Sequence, residues 1–198
     1  MSEHVPATPK GAATRRRILD AALAEFAAHG LAGARVDRIA EQASSNKAQI
    51  YAYVGGKDQL FDAVFFESLH RILDDAPIDA DDLADWAVRL YDDYLRRPDL
   101  IRLATWHRLE RRPHGLLVDD QERLDAGKIA AIAAAQEQGR VRAGDPFDVM
   151  ALVIAMSVAW SPVSGVWAAT ADEPEAVHAA RRDLLRRAVA AAVAPDVP

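Results

Sequence analysis

The sequence predicts an all-α protein in which a small N-terminal helix-turn-helix unit precedes a larger helical body. Apolar residues recur three and four positions apart along most of the 198 residues, which is the period of a helix that packs on one face. No segment alternates apolar and polar residues as a half-buried strand does. Pro98, Pro146 and Pro174 stand at the starts of predicted helices, where the first turn accepts proline.

The first helix is predicted to run from Thr14 to Gly30. Residues 1–13 are rich in proline, alanine and threonine without periodicity, so we expect a flexible arm there. Thr14 can cap a helix, and Gly30 can supply the left-handed conformation that ends one. The apolar residues at helical spacing are Ile18, Leu19, Ala22, Leu23 and Phe26.

Two short helices follow, predicted at 36–43 and 47–54. The Ser44-Ser45-Asn46 turn separates them, Asn46 is a favourable N-cap, and Gln49 stands where it can complete a capping box. Two helices joined by so short a turn form a helix-turn-helix, whose second helix enters the DNA major groove. The residues expected to pack inward against Phe26 are Ile39, Ala40, Ala43, Ile50 and Val54.

The second of these helices carries side chains suited to DNA. Gln49 can bond adenine, Lys47 can reach guanine, and the Ala48 methyl can touch a thymine methyl. Tyrosine hydroxyls and cations suit phosphates, which set register rather than sequence preference. The candidates for phosphate contact are Tyr51, Tyr53, Lys57 and, on the predicted arm, Arg16 or Arg17. The alternative is that Tyr51 and Tyr53 are core aromatics and Lys47 lies on a solvated face.

Charge is distributed unevenly along the chain. The net charge is −6, yet residues 1–57 carry eight basic and five acidic side chains, a net charge of +3. The remaining residues carry −9. A basic N-terminal quarter on an acidic body favours a local contact with a polyanion.

The body beyond residue 77 is predicted as five further helices, after a long amphipathic one that begins at Lys57. Residues 149–169 include no charged side chain, a length that would span a bilayer. Serines, Pro162 and Gly165 interrupt this stretch and its flanks are acidic, so a helix buried between the protein core and a second subunit is favoured over a membrane span. The five predicted helices are 81–96, 98–111, 116–138, 146–169 and 174–193.

Residues 14–66 resemble the DNA-binding domain of the TetR family of bacterial transcriptional regulators. The matching segments are TRRRILDAALAEFAAHG, RIAEQAS and IYAYVGGKDQLFDAV, and the Ile50-Tyr51-x-Tyr53-Val54-x-x-Lys57 pattern is the most specific part. The resemblance implies base contacts by Asn46, Lys47, Ala48 and Gln49. It also implies phosphate or base contacts by Tyr51 and Tyr53, and a phosphate contact by Lys57.

The sequence departs from the family pattern at three places. Val36 replaces a threonine that usually caps the first motif helix and bonds a phosphate. The turn has Ala43-Ser44-Ser45-Asn46 where Ala-Gly-Val-Ser is usual, so the glycine is missing. Val54 stands where an aromatic residue is common.

The resemblance further implies a homodimeric repressor that leaves a palindromic DNA operator when a small-molecule effector binds. The segments 146–169 and 174–193 would pair with those of a second copy in a four-helix interface. An effector pocket needs apolar walls with a few polar anchors. The candidates for that pocket are Trp86, Tyr94, Trp106, His107 and Trp160, and the alternative for each is plain core packing.

An enzyme and a helical protein-interaction module are the other classes considered. The chain has no cysteine, its histidines show no HExxH pattern, and Gly55-Gly56-Lys57 lacks the rest of a phosphate-binding loop. Ser44 and Lys47 match a loose S-x-x-K spacing without its companion motifs, and His107-x-x-Glu110 is at most half a metal site. We therefore expect no catalytic activity, metal or cofactor.

The predicted domain order is an arm (1–13), a DNA-binding domain (14–60) and a ligand-binding and dimerisation domain (61–198). The N-terminal residues show no apolar signal-peptide core, so we expect a cytoplasmic protein that is not bound to a membrane.

Overall fold

The structure is a computed structural model that describes residues 9–75, 77–112, 114–117 and 121–195. Within those ranges the chain forms nine helices and no strand, which confirms the all-α prediction. In chain order they are α1 (Pro9–Gly33), α2 (Val36–Gln42), α3 (Lys47–Val54), α4 (Lys57–Asp75), α5 (Leu83–Arg96), α6 (Pro98–Glu110), α7 (Gln121–Glu137), α8 (Pro146–Ser157) and α9 (Glu175–Val193).

The chain divides into two compact units. Unit 1 comprises residues 1–72 and 102–114, and unit 2 comprises residues 73–101 and 115–198. The predicted domains are continuous in sequence, whereas these units interleave, because the chain returns to unit 1 at Arg102 within α6.

Helix α1 begins earlier than the sequence predicted. Residues 1–8 of the predicted arm lie outside the described residues, but Pro9–Ala13 already belong to α1. The prediction that Arg16 and Arg17 lie on an arm is therefore wrong, since both are in the helix. The alanines at positions 12 and 13 favour helix extension toward the N-terminus. At Gly30 the backbone leaves the helical region, with φ of 65° and ψ of −177°, so α1 is interrupted where the sequence predicted its end and continues to Gly33.

Unit 1 has an aromatic core. Phe26 of α1 and Phe61 of α4 meet edge to face, with ring centroids 5.1 Å apart. Ile39 of α2 and Ile50 of α3 are fully buried, so both motif helices contribute to this unit's core. The other large, fully buried side chains of unit 1 are Ile18, Leu60, Val64, Phe65 and Leu103.

Unit 2 has an apolar core centred on α5. Asp82 caps this helix by accepting a 2.8 Å hydrogen bond from the backbone of Asp85. Helix α5 packs against both α8 and α9, and α7 packs against α8. The cluster includes Leu83, Trp86, Leu90, Tyr91, Tyr94, Ile132, Met150, Val153, Leu185 and Val189.

The predicted helix over 146–169 is wrong beyond Ser157. Asp145 and Pro146 begin α8 as expected, but the helix ends at Ser157, whose hydroxyl donates to the carbonyl of Ile154. Turns follow through Ser164, because serine hydroxyls compete for the backbone and Pro162 lacks an N–H. Among the described residues no helix is long and apolar enough to cross a membrane.

The remaining predicted boundaries differ by a few residues at most where they can be compared. The helix predicted over 116–138 is observed from Gln121 to Glu137, and 118–120 lie outside the described residues. The helix predicted over 174–193 is observed as α9, with Pro174 at its N-cap.

Candidate nucleic-acid interface

The turn between α2 and α3 is tight and polar. Ser44 adopts a positive φ of 49° at the place where the family pattern has glycine. The Asn46 side chain accepts a 2.8 Å hydrogen bond from the backbone N–H of Gln49, which is the predicted N-cap. The Gln49 side chain accepts from the Ser45 hydroxyl at 2.8 Å instead of completing a capping box. The turn thus fixes where α3 begins and holds Gln49 near its N-terminus.

Helix α3 has one buried and one exposed face. Ile50 is fully buried, and Tyr53 and Val54 are half-buried. Tyr51 is 41 % exposed, so it is not a core aromatic. The exposed face consists of Lys47, Ala48, Tyr51 and Ala52, with half-buried Gln49 beside it. This face combines a cation, a phenol and two methyl groups.

Lys47 forms an ion pair with Asp37 of α2. Its Nζ lies 2.8 Å from the Asp37 carboxylate, and both side chains are more than half exposed. The hydrogen bond to Asp37 raises the pKa of Lys47, so the lysine stays charged. An exposed ion pair contributes little free energy, and Lys47 can therefore exchange Asp37 for an acceptor on a nucleic acid.

The predicted phosphate-binding cations contact the protein in different ways. Arg16 is exposed and pairs with Asp20 one turn along α1 at 3.1 Å. Arg17 donates to the carbonyl of Ala43 at 3.4 Å, which links α1 to the end of α2. Lys57 donates to the carbonyl of Ala32 at 3.3 Å. Lys57 therefore lies beside the turn between α1 and α2.

A buried carboxylate that the sequence reasoning missed positions α2. Glu25 of α1 is 7 % exposed and accepts hydrogen bonds from the Arg35 backbone at 2.7 Å and from Arg38 Nε at 2.8 Å. Burial alone would raise the pKa of Glu25, but the hydrogen bonds from Arg38 and Arg35 outweigh it and lower the pKa. The only signal in the sequence was an acid on the apolar stripe of α1.

The segment of α6 that belongs to unit 1 encloses the end of α1. Arg102 Nε and Trp106 Nε1 donate to the same carbonyl of Ala27, at 2.9 and 3.3 Å. Glu110 accepts a 3.0 Å hydrogen bond from the backbone of Leu31. These contacts satisfy backbone groups that the helix end leaves without partners. Arg111 adds a 2.9 Å ion pair to Asp58 at the start of α4.

Trp106 and His107, two of the five predicted effector residues, lie in this segment. His107 is buried and stacks on Phe65, with ring centroids 3.7 Å apart. Burial, and then the charges of Arg111, Arg112 and Arg108, lower the pKa of His107 to about 4. The imidazole is therefore neutral near pH 7 and acts as part of the aromatic core of unit 1.

The other three predicted effector residues lie in unit 2. Trp86 is fully buried and Tyr94 is buried with its hydroxyl 3.5 Å from Ser157 Oγ. Trp160 is partly buried and packs edge to face on Tyr91 at 6.0 Å. The five residues thus separate into two groups in two units, and their role toward an effector stays a prediction.

Comparison with known proteins identifies both parts of the chain. The family model for "Bacterial regulatory proteins, tetR family" matches residues 18–64, and the one for "Tetracyclin repressor-like, C-terminal domain" matches residues 82–190. The chain belongs to the TetR family. It is a DNA-binding transcriptional regulator whose helix-turn-helix consists of α2 and α3.

Individual relatives agree with this family. The chain is similar to the HTH-type transcriptional repressor SCO4008 of Streptomyces coelicolor, with 41 % identity over 150 residues that cover 73 % of this chain and 77 % of the relative. A solved structure of the putative transcriptional regulator SCO4942 from the same species shares 37 % identity, with a TM-score of 0.74 over 91 % of this chain and 98 % of the other. Salmonella enterica GusR shares the fold at 20 % identity, with a TM-score of 0.68 over 93 and 97 % of the two chains.

Proposed function

We propose that this protein is a homodimeric repressor that binds a palindromic operator through α3 and leaves it when a small-molecule effector binds. The exposed face of α3 carries the proposal, because it presents side chains that suit base edges and phosphates. The net charge of +3 on residues 1–57 favours the approach of this region to DNA. The relative SCO4008 is named a transcriptional repressor.

Exposed apolar residues on α8 and α9 support a dimer. Along α9, Val177 and Leu184 are 37 and 51 % exposed, and the exposed Ala180 and Ala191 share their face. On α8, Leu152 is 46 % exposed. Exposed apolar side chains on both helices favour burial against a second copy. The proposed interface therefore uses 146–157 and 174–193 instead of the longer first helix predicted from the sequence.

The DNA half of the proposal is tested by selecting bound sequences from random double-stranded oligonucleotides. A palindrome with half-sites about 34 Å apart is expected for a dimer with one α3 in each of two successive major grooves. If the complex neutralises about 6–10 phosphates, affinity should fall about 10³–10⁵-fold between roughly 50 and 200 mM salt. Failure to recover any half-site, or a flat response to salt, would contradict the proposal.

The face of α3 is tested by the double variant Lys47→Ala with Gln49→Ala. We expect a loss of about 1–3 kcal/mol for each base contact removed, measured by fluorescence anisotropy on the selected operator. The matched control is Gln138→Ala with Arg140→Ala, which removes an exposed amide and an exposed cation from unit 2. Unchanged operator affinity in the α3 variant would show that another face binds DNA.

The dimer is tested by Leu184→Asp on the exposed face of α9. A carboxylate buried in an apolar interface costs several kcal/mol, so light scattering after gel filtration should show a monomer. Ala179→Asp adds the same charge to an exposed position on a different face of α9 and should leave the mass of the dimer unchanged. A monomeric wild-type protein would contradict this half of the proposal.

A further inference from the structure

Unit 2 contains a polar cleft between α5 and α9 that none of the predicted effector residues lines. Its volume is about 350 Å³, within the range of small-molecule sites. Three guanidinium groups, two carboxylates and an imidazole line it, so the formal charge of the lining with a neutral imidazole is +1. The lining residues are Arg89, Asp92, Leu95, Arg96, Ala171, Glu175, His178 and Arg182.

Two buried nitrogen atoms of cleft residues lack hydrogen-bond partners among the described residues. They are His178 Nε2 and Arg89 Nε. His178 is 3 % exposed, and a buried polar group without a partner costs about 1–3 kcal/mol. Two such groups on facing helices, in residues that line one cleft, indicate that acceptor atoms from outside the chain complete their hydrogen bonds.

The hydrogen bonds around Tyr91 make His178 Nε2 a donor. Tyr91 Oη lies 2.7 Å from His178 Nδ1, both side chains are buried, and the charge of Arg181 acts on the phenol. Burial raises the pKa of Tyr91 against the opposing effect of Arg181, so the phenol keeps its proton. Because Nδ1 is the acceptor that the described residues place at hydrogen-bond distance from this buried hydroxyl, the phenol donates its proton to Nδ1, and the imidazole carries its hydrogen on Nε2. Both unpartnered atoms are then N–H donors.

Arg182 offers a third donor group. Its Nε donates to Asp92 at 2.7 Å and its Nη1 donates to Glu175 at 2.6 Å. The Glu175 side chain is 76 % exposed, so water can solvate it if a ligand carboxylate replaces it on the guanidinium. Arg182 would then keep the hydrogen bond from Nε to Asp92 and donate from Nη1 to the ligand carboxylate.

We propose that this cleft binds a small organic monocarboxylate as the effector. The donors of His178 and Arg89 satisfy the carboxylate oxygens, and the charge of +1 matches one negative charge better than the two of a phosphate dianion. Leu95 and Ala171 give a short apolar wall for the body of the acid. The inference rests on the proposed effector response, and direct binding without DNA tests it separately from operator binding.

The experiment is isothermal titration of the full chain with acetate, butyrate, hexanoate and benzoate, each compared with its neutral amide. We expect at least one acid to bind and its amide to bind at least about tenfold more weakly, because a charge-assisted hydrogen bond is worth more than a neutral one. If no acid of the series binds at millimolar concentration, the proposal is overturned, whatever the operator assay shows.

Variants locate the site. Arg89→Met removes the Nε donor together with the guanidinium bonds to Asp85 and to the Pro77 carbonyl. His178→Asn keeps an acceptor for Tyr91 while it removes the atom at the Nε2 position. Each variant should weaken the acid at least about tenfold. His178→Gln places an amide near Nε2 and should recover part of the affinity. Arg140→Met removes a guanidinium of unit 2 outside the cleft and should have no effect. Wild-type affinity in both Arg89→Met and His178→Asn, with normal helical circular dichroism, would overturn the proposal.

Discussion

Two consecutive turns in the N-terminal part of unit 1 each place one residue at a positive φ, a glycine in the first and a serine in the second. The first turn is the interruption of α1 at Gly30, with φ 65°, and the second turn follows α2 and has Ser44 at φ 49°. A methyl group at Gly30 would lie 2.8 Å from Glu110 Oε1 and 2.9 Å from Trp106, whereas Ser44 is exposed. Glycine is therefore favoured at Gly30 by both conformation and space, whereas at Ser44 conformation alone favours it and a serine is tolerated.

The first turn is also more closely packed than the second. Side chains from α1 and α6 enclose the first turn, through Glu25, Trp106 and Glu110. The second turn depends on local bonds within its own residues, chiefly those of Asn46 and Ser45. We infer that the first turn fixes α2 against the rest of unit 1, while the second sets only how α3 leaves α2. Substitutions at the first turn should accordingly have the larger effects.

Gly30→Ala should have the largest effect. A positive φ costs an L-residue about 1–2 kcal/mol, and overpacking against Trp106 and Glu110 adds about 1–3 kcal/mol, so we expect a loss of about 3–4 kcal/mol in the free energy of unfolding. Urea denaturation measures this loss. Gly33→Ala, whose methyl group would be 3.3 Å from His29 Cβ, is the control and should change stability by less than about 1 kcal/mol. Equal effects of the two substitutions would show that neither the positive φ nor the close packing at Gly30 makes that position special.

Glu25→Gln should have the next largest effect, about 2–3 kcal/mol, because it replaces charge-assisted hydrogen bonds from Arg38 and from the Arg35 backbone with weaker neutral ones. The pKa of Glu25 is lowered in the folded state, so its contribution is complete above its ordinary value of 4.5. It is lost as the pH falls through the lowered folded value. The difference between variant and wild type in urea denaturation should thus shrink below pH 4.5.

The exposed pair of Arg16 and Asp20 provides the control for Glu25. Asp20→Asn breaks a solvent-exposed ion pair on the same helix and should cost less than about 1 kcal/mol at any pH. If Glu25→Gln were equally mild at pH 7, the buried carboxylate would not be what holds α2.

His107→Phe should make the free energy of unfolding depend less on pH between about 4 and 6.5. The folded pKa of His107 is about 4 against 6.5 for an ordinary histidine, so the unfolded chain binds more protons between these values. Wild-type stability should fall by about 2–3 kcal/mol from pH 6.5 to 4 through this group, and the variant should lack that component. Melting temperatures across this range measure it. The exposed His114, changed to glutamine, should leave the wild-type slope intact.

Local sequence signals predicted the helices of the helix-turn-helix, whereas features that depend on contacts between distant residues were missed. Helix α3 has the predicted bounds because Asn46 and Gly55 mark its ends within the segment itself. Glu25 was missed because its partner Arg38 becomes apparent only when α2 folds back on α1. The cleft was missed for the same reason, since Arg89 and His178 are far apart in sequence. The helix that begins at Pro146 was predicted too long, because the uncharged apolar run to residue 169 was given more weight than Pro162 and Gly165. These two residues correctly indicated that the helix ends before them.

Ser44→Gly should have the smallest effect and the opposite sign. Relief of the positive φ gains about 1–2 kcal/mol, while the greater freedom of glycine in the unfolded chain costs about 0.4–1 kcal/mol, so a net stabilisation of about 0–1.6 kcal/mol is expected. Urea denaturation of the variant beside Ser45→Gly, which has no positive φ to relieve and loses the hydroxyl bonded to Gln49, tests this. Ser45→Gly should destabilise. If Ser44→Gly destabilised as much, the Ser44 side chain would stabilise the turn by more than its backbone strain costs, and the two turns would differ less than their geometry indicates.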